Sequence, residues 1–262
     1  MIDAVSIPGD PLRRNEDFVG IADAVVVVLD GVTPPPDGDN GCVHGVAWFV
    51  EQLGPALLRA GRRDVGLAEC LAEAIERTAD RHRGTCDLSH RETPQATVAM
   101  FRRHDEVVEY LVLCDAAILL LGNDDTVTPV LDDRLDRLRE RPRLRGAGRA
   151  AWAALRNSDD GFFTAAADPA TARHAVTGSA PRAEVRAIAA LTDGATRWVD
   201  VFGLGDWTGL FDVLRRDGAR ALIEQVRAAE TADPDRTAFR RGKTHDDATV
   251  AVSIEELPDA AV

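Results

Sequence analysis

Along the chain, short apolar runs rich in β-branched residues alternate with longer stretches whose apolar positions recur at helical spacing. The short runs are Phe18–Ala22, Ala24–Leu29, Ala96–Phe101, Val107–Cys114, Ala116–Leu121, Val185–Leu191 and Ala248–Ile254, and they are bounded by Gly, Asp, Asn or Pro. Runs of this length and content predict strands. Asp23 alone separates the first two runs, and Asp115 alone separates Val107–Cys114 from Ala116–Leu121. Such gaps leave no room for a crossover helix, so both pairs are expected to form antiparallel hairpins. Helical periodicity marks Cys42–Ala60, Leu67–His82 and Ala219–Ala229. Strands in antiparallel blocks with helices inserted as blocks predict an α+β fold rather than alternating βαβ units.

The segment Arg134–Arg149 carries seven arginines against Asp136 and Glu140. It reads as a solvated helix broken at Pro142 or, alternatively, as a surface for an acidic or phosphorylated partner. The run Pro34–Asp39 reads as a loop too short to divide domains, and residues 255–262 as a solvated tail. A single domain over residues 1–262 is therefore expected, with an arginine-rich insert at about 132–150.

Charge narrows the partners. With 31 Lys and Arg against 44 Asp and Glu, the formal net charge of −13 disfavours general binding to nucleic acid or anionic membrane. The apolar runs are too short to span a bilayer, and the N-terminus lacks the basic region of a secretory signal. Cys42, Cys70, Cys86 and Cys114 lie far apart with no CxxC pair, which predicts reduced thiols in a cytoplasmic protein rather than a disulfide framework or a zinc site. Cys42 and Cys114 sit in apolar contexts and are expected in the core.

The chemistry lies in where the carboxylates fall. Asp30 ends an apolar run and precedes Gly31; Asp193 follows another and precedes Gly194. Glu16 and Asp17 directly precede the strand at Phe18, and Asp246 and Asp247 precede the run from Ala248. A lone Asp-Gly is most often a tight turn. Several such carboxylates converging at one sheet edge would repel one another, however, unless cations lay between them. Mg²⁺ and Mn²⁺ accept such oxygen donors, lower the pKa of bound water and polarise phosphoryl oxygens.

In order, the chain carries RRNEDF (13–18), VVVVLDG (25–31), LCDAAILLLG (113–122), ALTDGATR (190–197) and HDDATVAVSI (245–254). This series resembles the metal-dependent serine/threonine protein phosphatases of type 2C, as a divergent bacterial-type member. The resemblance implies a four-layer αββα sandwich of two antiparallel sheets flanked by helices. It implies two Mn²⁺ or Mg²⁺ ions, with a third at Asp115 in some bacterial members. By motif position, Asp30 would bridge the metals, the Gly31 carbonyl would bind one, and Asp193 and Asp246 would complete the other. Glu16, a metal residue, and Asp17, a catalytic one, would act largely through metal-bound waters. Asp246 is preferred to Asp247, which stands where the family has Asn.

The series departs from the family at three places. Val32-Thr33-Pro34 replaces the His-Gly-Gly whose His serves as general acid, and Leu12 stands where a phosphate-binding Arg is usual. Cys114-Asp115-Ala116-Ala117 replaces Gly-Asp-Ser-Arg. His44 and His245 are candidate replacement acids. Arg13, Arg14, Arg197 and Lys243 are candidate phosphate clamps, since a guanidinium grips phosphate bidentately.

The chain has no GxSxG elbow, P-loop, CxxxxxR thiol-phosphatase motif or HExxH zinc motif. The expected activity is hydrolysis of a phosphomonoester, foremost phosphoserine or phosphothreonine in proteins, by a metal-bridging hydroxide. The alternative is a catalytically impaired pseudophosphatase that acts as a regulatory binding module through its arginine-rich segment.

Overall fold

The computed structural model describes residues 1–33 and 39–254. Residues 34–38 of the loop expected at Pro34–Asp39, and the tail at 255–262, lie outside the described residues.

Among the described residues, ten strands form two antiparallel sheets. In chain order they are β1 (Ile2–Ile7), β2 (Asp17–Ala22), β3 (Val25–Gly31), β4 (Ala96–Arg103), β5 (Val107–Leu113), β6 (Ala117–Gly122), β7 (Val127–Leu131), β8 (Val176–Pro181), β9 (Val185–Leu191) and β10 (Ala248–Ile254). One sheet runs β1-β10-β9-β6-β7 and the other β2-β3-β4-β5-β8. The helices are α1 (Val46–Ala60), α2 (Leu67–His82), α3 (Arg134–Arg139), α4 (Arg149–Leu155), α5 (Asp193–Asp200), α6 (Trp207–Asp217) and α7 (Ala219–Ala232).

The layers follow from which faces are apolar. Val26, Val28, Phe101, Val112, Ile118, Ile188 and Ala251 fill the space between the sheets. The other face of the β3–β4–β5 sheet packs Val27, Leu29, Met100 and Leu111 against Phe49, Leu53, Leu57, Leu71 and Ile75 of α1 and α2. On the far side, Leu119, Ala189 and Val250 meet Trp198, Phe211, Leu222 and Val226 of α5, α6 and α7. Central strands covered on both faces explain the near-continuous apolar runs of the sequence. The architecture is the expected αββα sandwich. No described helix is long and apolar enough to cross a membrane.

The hairpin expected around Asp23 forms: β2 pairs with β3, and Asp23 takes the left-handed conformation (φ 53°) that its turn requires. The hairpin expected around Asp115 does not form. β5 pairs with β4 and β8, whereas β6 pairs with β7 and β9 in the other sheet. Cys114 turns the chain out of β5 with φ 66°, and its N–H donates to the Asp132 carboxylate instead of to a facing strand. Asp115 is thus a crossing point between sheets. The strands without a strong sequence signal, β1, β7 and β8, are all at sheet edges. Edge strands need only one apolar face and tolerate residues such as Pro129.

The arginine-rich segment breaks near Pro142 as expected, but it is not simply solvated. Leu135 and Leu138 of α3 are buried against Cys114 and Phe162, with Trp152 and Leu155 of α4 packed beside them. The segment therefore lies over the edge of the sandwich where Asp115 emerges. Cys114 is in the core as expected, whereas Cys42 is only half-buried, in the loop before α1.

Candidate active site

Antiparallel register brings the predicted carboxylates to one end of the sandwich. Asp17, the first residue of β2, faces Asp30 near the end of β3, and Asp30 in turn faces Thr97 on β4. Across the sandwich, Asp193 begins α5 just past β9, and Asp246 lies just before β10. Asp30, Gly31, Asp115, Asp193 and Asp246 all line one cavity of about 370 Å³. Neither Asp-Gly pair is a hairpin turn. Asp30-Gly31 ends a strand, and Asp193-Gly194 is the first turn of a helix. A Cβ at Gly194 would lie 1.9 Å from the Asp247 carbonyl oxygen, so glycine is what lets α5 start this close to β10.

The electrostatics show the convergence. Burial, then repulsion from Asp193, Asp17, Asp246 and Asp115, pushes the Asp30 carboxyl well above the usual range. Burial, then Asp246 and Asp115, does the same to Asp193, partly offset by Arg197. Asp17 is pushed up to about 7, chiefly by burial. One of its oxygens accepts from the hydroxyls of Thr192 (3.0 Å) and Thr249 (2.7 Å), which ties β2 to the opposite sheet. Its Oδ1 is buried with no hydrogen-bond partner among the described residues. Glu16 accepts from Thr33 Oγ1 at 3.0 Å, and burial raises its pKa. Buried, mutually repelling oxygens and an orphaned carboxylate oxygen are the donor set that a hard divalent cation satisfies. These residues fit Mn²⁺ or Mg²⁺.

The two aspartates before β10 have different surroundings. Asp246 lines the cavity, while Asp247 accepts from the backbone N–H groups of Gly9 (2.8 Å) and Glu16 (2.6 Å). Asp247 thus holds the loop that presents Glu16 and Asp17.

The cavity also has a basic wall. Arg139, Arg149, Arg156 and Lys243 line it together with the carboxylates. Lys243 Nζ donates to Asp246 Oδ1 at 2.5 Å, and Arg139 to Asp115 at 3.2 Å. Arg149 donates to Glu92 (2.8 Å) and to the Thr33 carbonyl (3.0 Å). Arg156 stands over the Phe162 ring at 5.7 Å, and its Nε is buried with no hydrogen-bond partner among the described residues. A second groove of about 640 Å³ adjoins the cavity and shares Asp115, Arg139 and Asp193 with it.

The other sequence candidates lie elsewhere. Arg197 is buried, donating to Glu230 at 2.7 Å and to Asp246 at 2.6 Å, so its charge is committed to carboxylates rather than left for phosphate. Arg14 pairs with Glu51 at the surface (2.7 Å), and exposed Arg13 is not among the cavity-lining residues. Neither is His245. His44 does not reach the cavity either; it packs against Trp48, with ring centroids 4.2 Å apart, beside Cys42 and Cys86. Arg156 gave no sequence signal, because a lone arginine after a helix is ordinary. Arg139 and Arg149 belong to the arginine-rich run, whose place over the cavity is set by the burial of Leu135 and Leu138 beneath it.

No protein-family model matches the chain, and no curated protein matches it. Solved structures do. The chain is similar to PppA, a key regulatory component of the T6SS in Pseudomonas aeruginosa, with 16% identity, 96% of each chain covered and a TM-score of 0.60. It is similar to the catalytic domain of the serine/threonine protein phosphatase PstP in complex with two manganese ions, with 15% identity, 96% of each chain covered and a TM-score of 0.58. It is also similar to the serine/threonine phosphatase Stp1 from Staphylococcus aureus, with 12% identity, 97% and 94% coverage and a TM-score of 0.60. The fold is that of the type 2C serine/threonine phosphatases.

Proposed function

We propose that the protein is a metal-dependent phosphomonoester hydrolase that acts on phosphoserine or phosphothreonine in proteins. One observation carries this reading: a single cavity is lined both by converging carboxylates and by arginine and lysine side chains. The first fits divalent cations and the second fits a phosphate dianion. Mn²⁺ or Mg²⁺, held by Asp30, Asp193 and Asp246, with the Gly31 carbonyl and Asp115 as further ligands, would polarise phosphoryl oxygens and lower the pKa of water.

The chain's own residues orient the substrate. Arg156 lines the cavity, its guanidinium stands over the Phe162 ring, and its buried Nε has no hydrogen-bond partner among the described residues, so it is the leading phosphate clamp. Arg139 and Arg149 line the same cavity and tie the arginine-rich segment to Asp115, Glu92 and the Thr33 carbonyl. Asp17, held by the Thr192 and Thr249 hydroxyls, stands opposite Asp30 and adds to the negative charge that draws a cation. Lys243 is the ammonium nearest the carboxylates and can donate a hydrogen bond to a leaving oxygen in place of the missing histidine. The adjoining groove gives a polypeptide a place to lie beside the reacting phosphate.

A second reading has its own support. Asp246 already faces both Arg197 and Lys243, and Asp115 faces Arg139, so the protein itself neutralises part of the acidic cluster. That arrangement suits a regulatory module that binds a phosphorylated partner without hydrolysing it. Turnover of p-nitrophenyl phosphate and of a phosphothreonine peptide, with Mn²⁺ and with EDTA, separates the two. Hydrolysis that needs Mn²⁺ supports the enzyme. Phosphopeptide binding without phosphate release supports the module.

A further inference from the structure

A second side-chain cluster lies apart from the carboxylate cavity. Cys42 and His44 stand in the loop just before α1, His82 is the last residue of α2, and Cys86 follows it by four positions. One ligand atom from each of these four residues lies within 4.8 Å of all the others. Cys42 Sγ is 3.1 Å from Cys86 Sγ and 3.6 Å from His82 Nδ1. His44 Nδ1 is 3.7 Å from Cys42 Sγ and 3.3 Å from Cys86 Sγ. We propose that Cys42, His44, His82 and Cys86 form a closed structural Zn²⁺ site that staples the loop before α1 to the C-terminal end of α2.

The spacing suits the ion. Zinc bonds of about 2.3 Å to sulfur and about 2.0 Å to nitrogen, in a tetrahedron, set neighbouring ligand atoms about 3.3–3.8 Å apart. The observed separations cluster around that range, so binding needs only small side-chain shifts. Two thiolates and two neutral imidazoles also balance the charge of the ion, which suits a half-buried site.

The metal-free alternative leaves the histidine poorly satisfied. His82 is 1% exposed. Its Nδ1 faces only a thiol, a weak partner for a buried imidazole. The backbone already presents the four side chains to one another. Asp87 N–H donates to the Gly41 carbonyl at 2.7 Å and Cys86 N–H to the His82 carbonyl at 3.0 Å, while Gly45 with φ 81° turns the loop into α1. In sequence the pattern is Cys-x-His followed by His-x₃-Cys, nearly 40 residues apart. This spacing is neither CxxC nor HExxH, the patterns whose absence led to the expectation of no zinc site.

The test is metal analysis and cobalt spectroscopy of the full chain. Protein purified without added metal and dialysed against a weak chelator is expected to retain one zinc per chain. Replacement by Co²⁺ is expected to give thiolate-to-cobalt charge-transfer absorption and the intense visible bands of a tetrahedral ion. Carboxylate ligation at the Asp30 cavity produces neither, so failure of the proposed hydrolase does not affect this result. Cys42→Ser and Cys86→Ser are expected to lose the charge-transfer signal, and Cys70→Ser to keep it. Absence of both zinc and the charge-transfer band in the unmutated protein overturns the proposal, whether or not the variants fold. A native mass short by two hydrogens, mapped to a Cys42–Cys86 disulfide, overturns it too.

Discussion

Asp30 and Arg156 are opposite cases of one principle, a buried group whose partner the fold does not supply. Asp30 is surrounded by other carboxylates, and Arg156, which lines the same cavity, has a buried Nε with no hydrogen-bond partner among the described residues. Loss of a charge-assisted bond to phosphate costs about 1.5–3 kcal/mol. Arg156→Ala is therefore expected to raise KM for a phosphomonoester by about 10- to 100-fold with a smaller change in kcat. Unchanged KM in steady-state kinetics would remove Arg156 from the phosphate site. Arg197 predicts the opposite pattern. It faces fully buried Glu230, which also has Arg227 at 2.6 Å. Breaking a buried pair costs about 3–5 kcal/mol, and the retained Arg227 moves the expectation to about 3 kcal/mol or less. Arg197→Met should thus lower the denaturation midpoint, read by urea unfolding. A stable Arg197→Met protein with raised KM would return Arg197 to the phosphate.

At the scale of elements, the central strands were legible because burial on both faces writes continuous apolar runs into β3, β4, β6, β9 and β10. The carboxylates at their ends were legible for the same reason, since a charge that ends such a run has to have a use. Edge strands β1, β7 and β8 left weaker patterns, and α1 starts later than its periodicity because Gly45 turns the chain there. The crossing at Asp115 was misread as a hairpin because one intervening residue signals proximity without saying which sheet comes next. The basic wall was hidden for a different reason: it depends on where α3 and α4 dock, and Leu135 and Leu138 set that through tertiary packing. The close approach of α5 to β10 gives an element-scale prediction. Gly194→Ala must push the first turn of α5 away from Asp247, displacing Asp193. Overpacking of this kind costs about 1–3 kcal/mol, so a lower Tm and weaker Mn²⁺ binding are expected together, by calorimetry. Full Mn²⁺ affinity in a destabilised Gly194→Ala protein would detach Asp193 from the metal site.

For the whole molecule, the carboxylate cluster couples stability to pH and to cations. Asp17 is raised to about 7, and Asp30 and Asp193 are also pushed up. In the metal-free folded chain these groups keep their protons at pH values where the unfolded chain, with carboxyl pKa values near about 4, has lost them. They leave folding unopposed below about pH 4 and oppose it increasingly as pH rises toward and through about 7. A bound cation favours the ionised form and removes that penalty. Mn²⁺ is therefore expected to raise Tm more at about pH 7.5 than at about pH 5, and Asp193→Asn to reduce the difference. Equal stabilisation at both pH values in thermal melts would mean that the cation binds away from these carboxylates.

The carboxylate cavity was proposed above as the metal centre of a phosphatase, and p-nitrophenyl phosphate turnover and Mn²⁺ binding by calorimetry, on the same sample of the unmutated protein and of Asp193→Asn, probe it directly. Turnover is expected to rise with Mn²⁺ occupancy, and Asp193→Asn to lose it by about 100-fold or more, at least what removal of a mere supporting partner of a metal ligand costs. Turnover that survives in Asp193→Asn, or that proceeds in EDTA, would contradict the proposal.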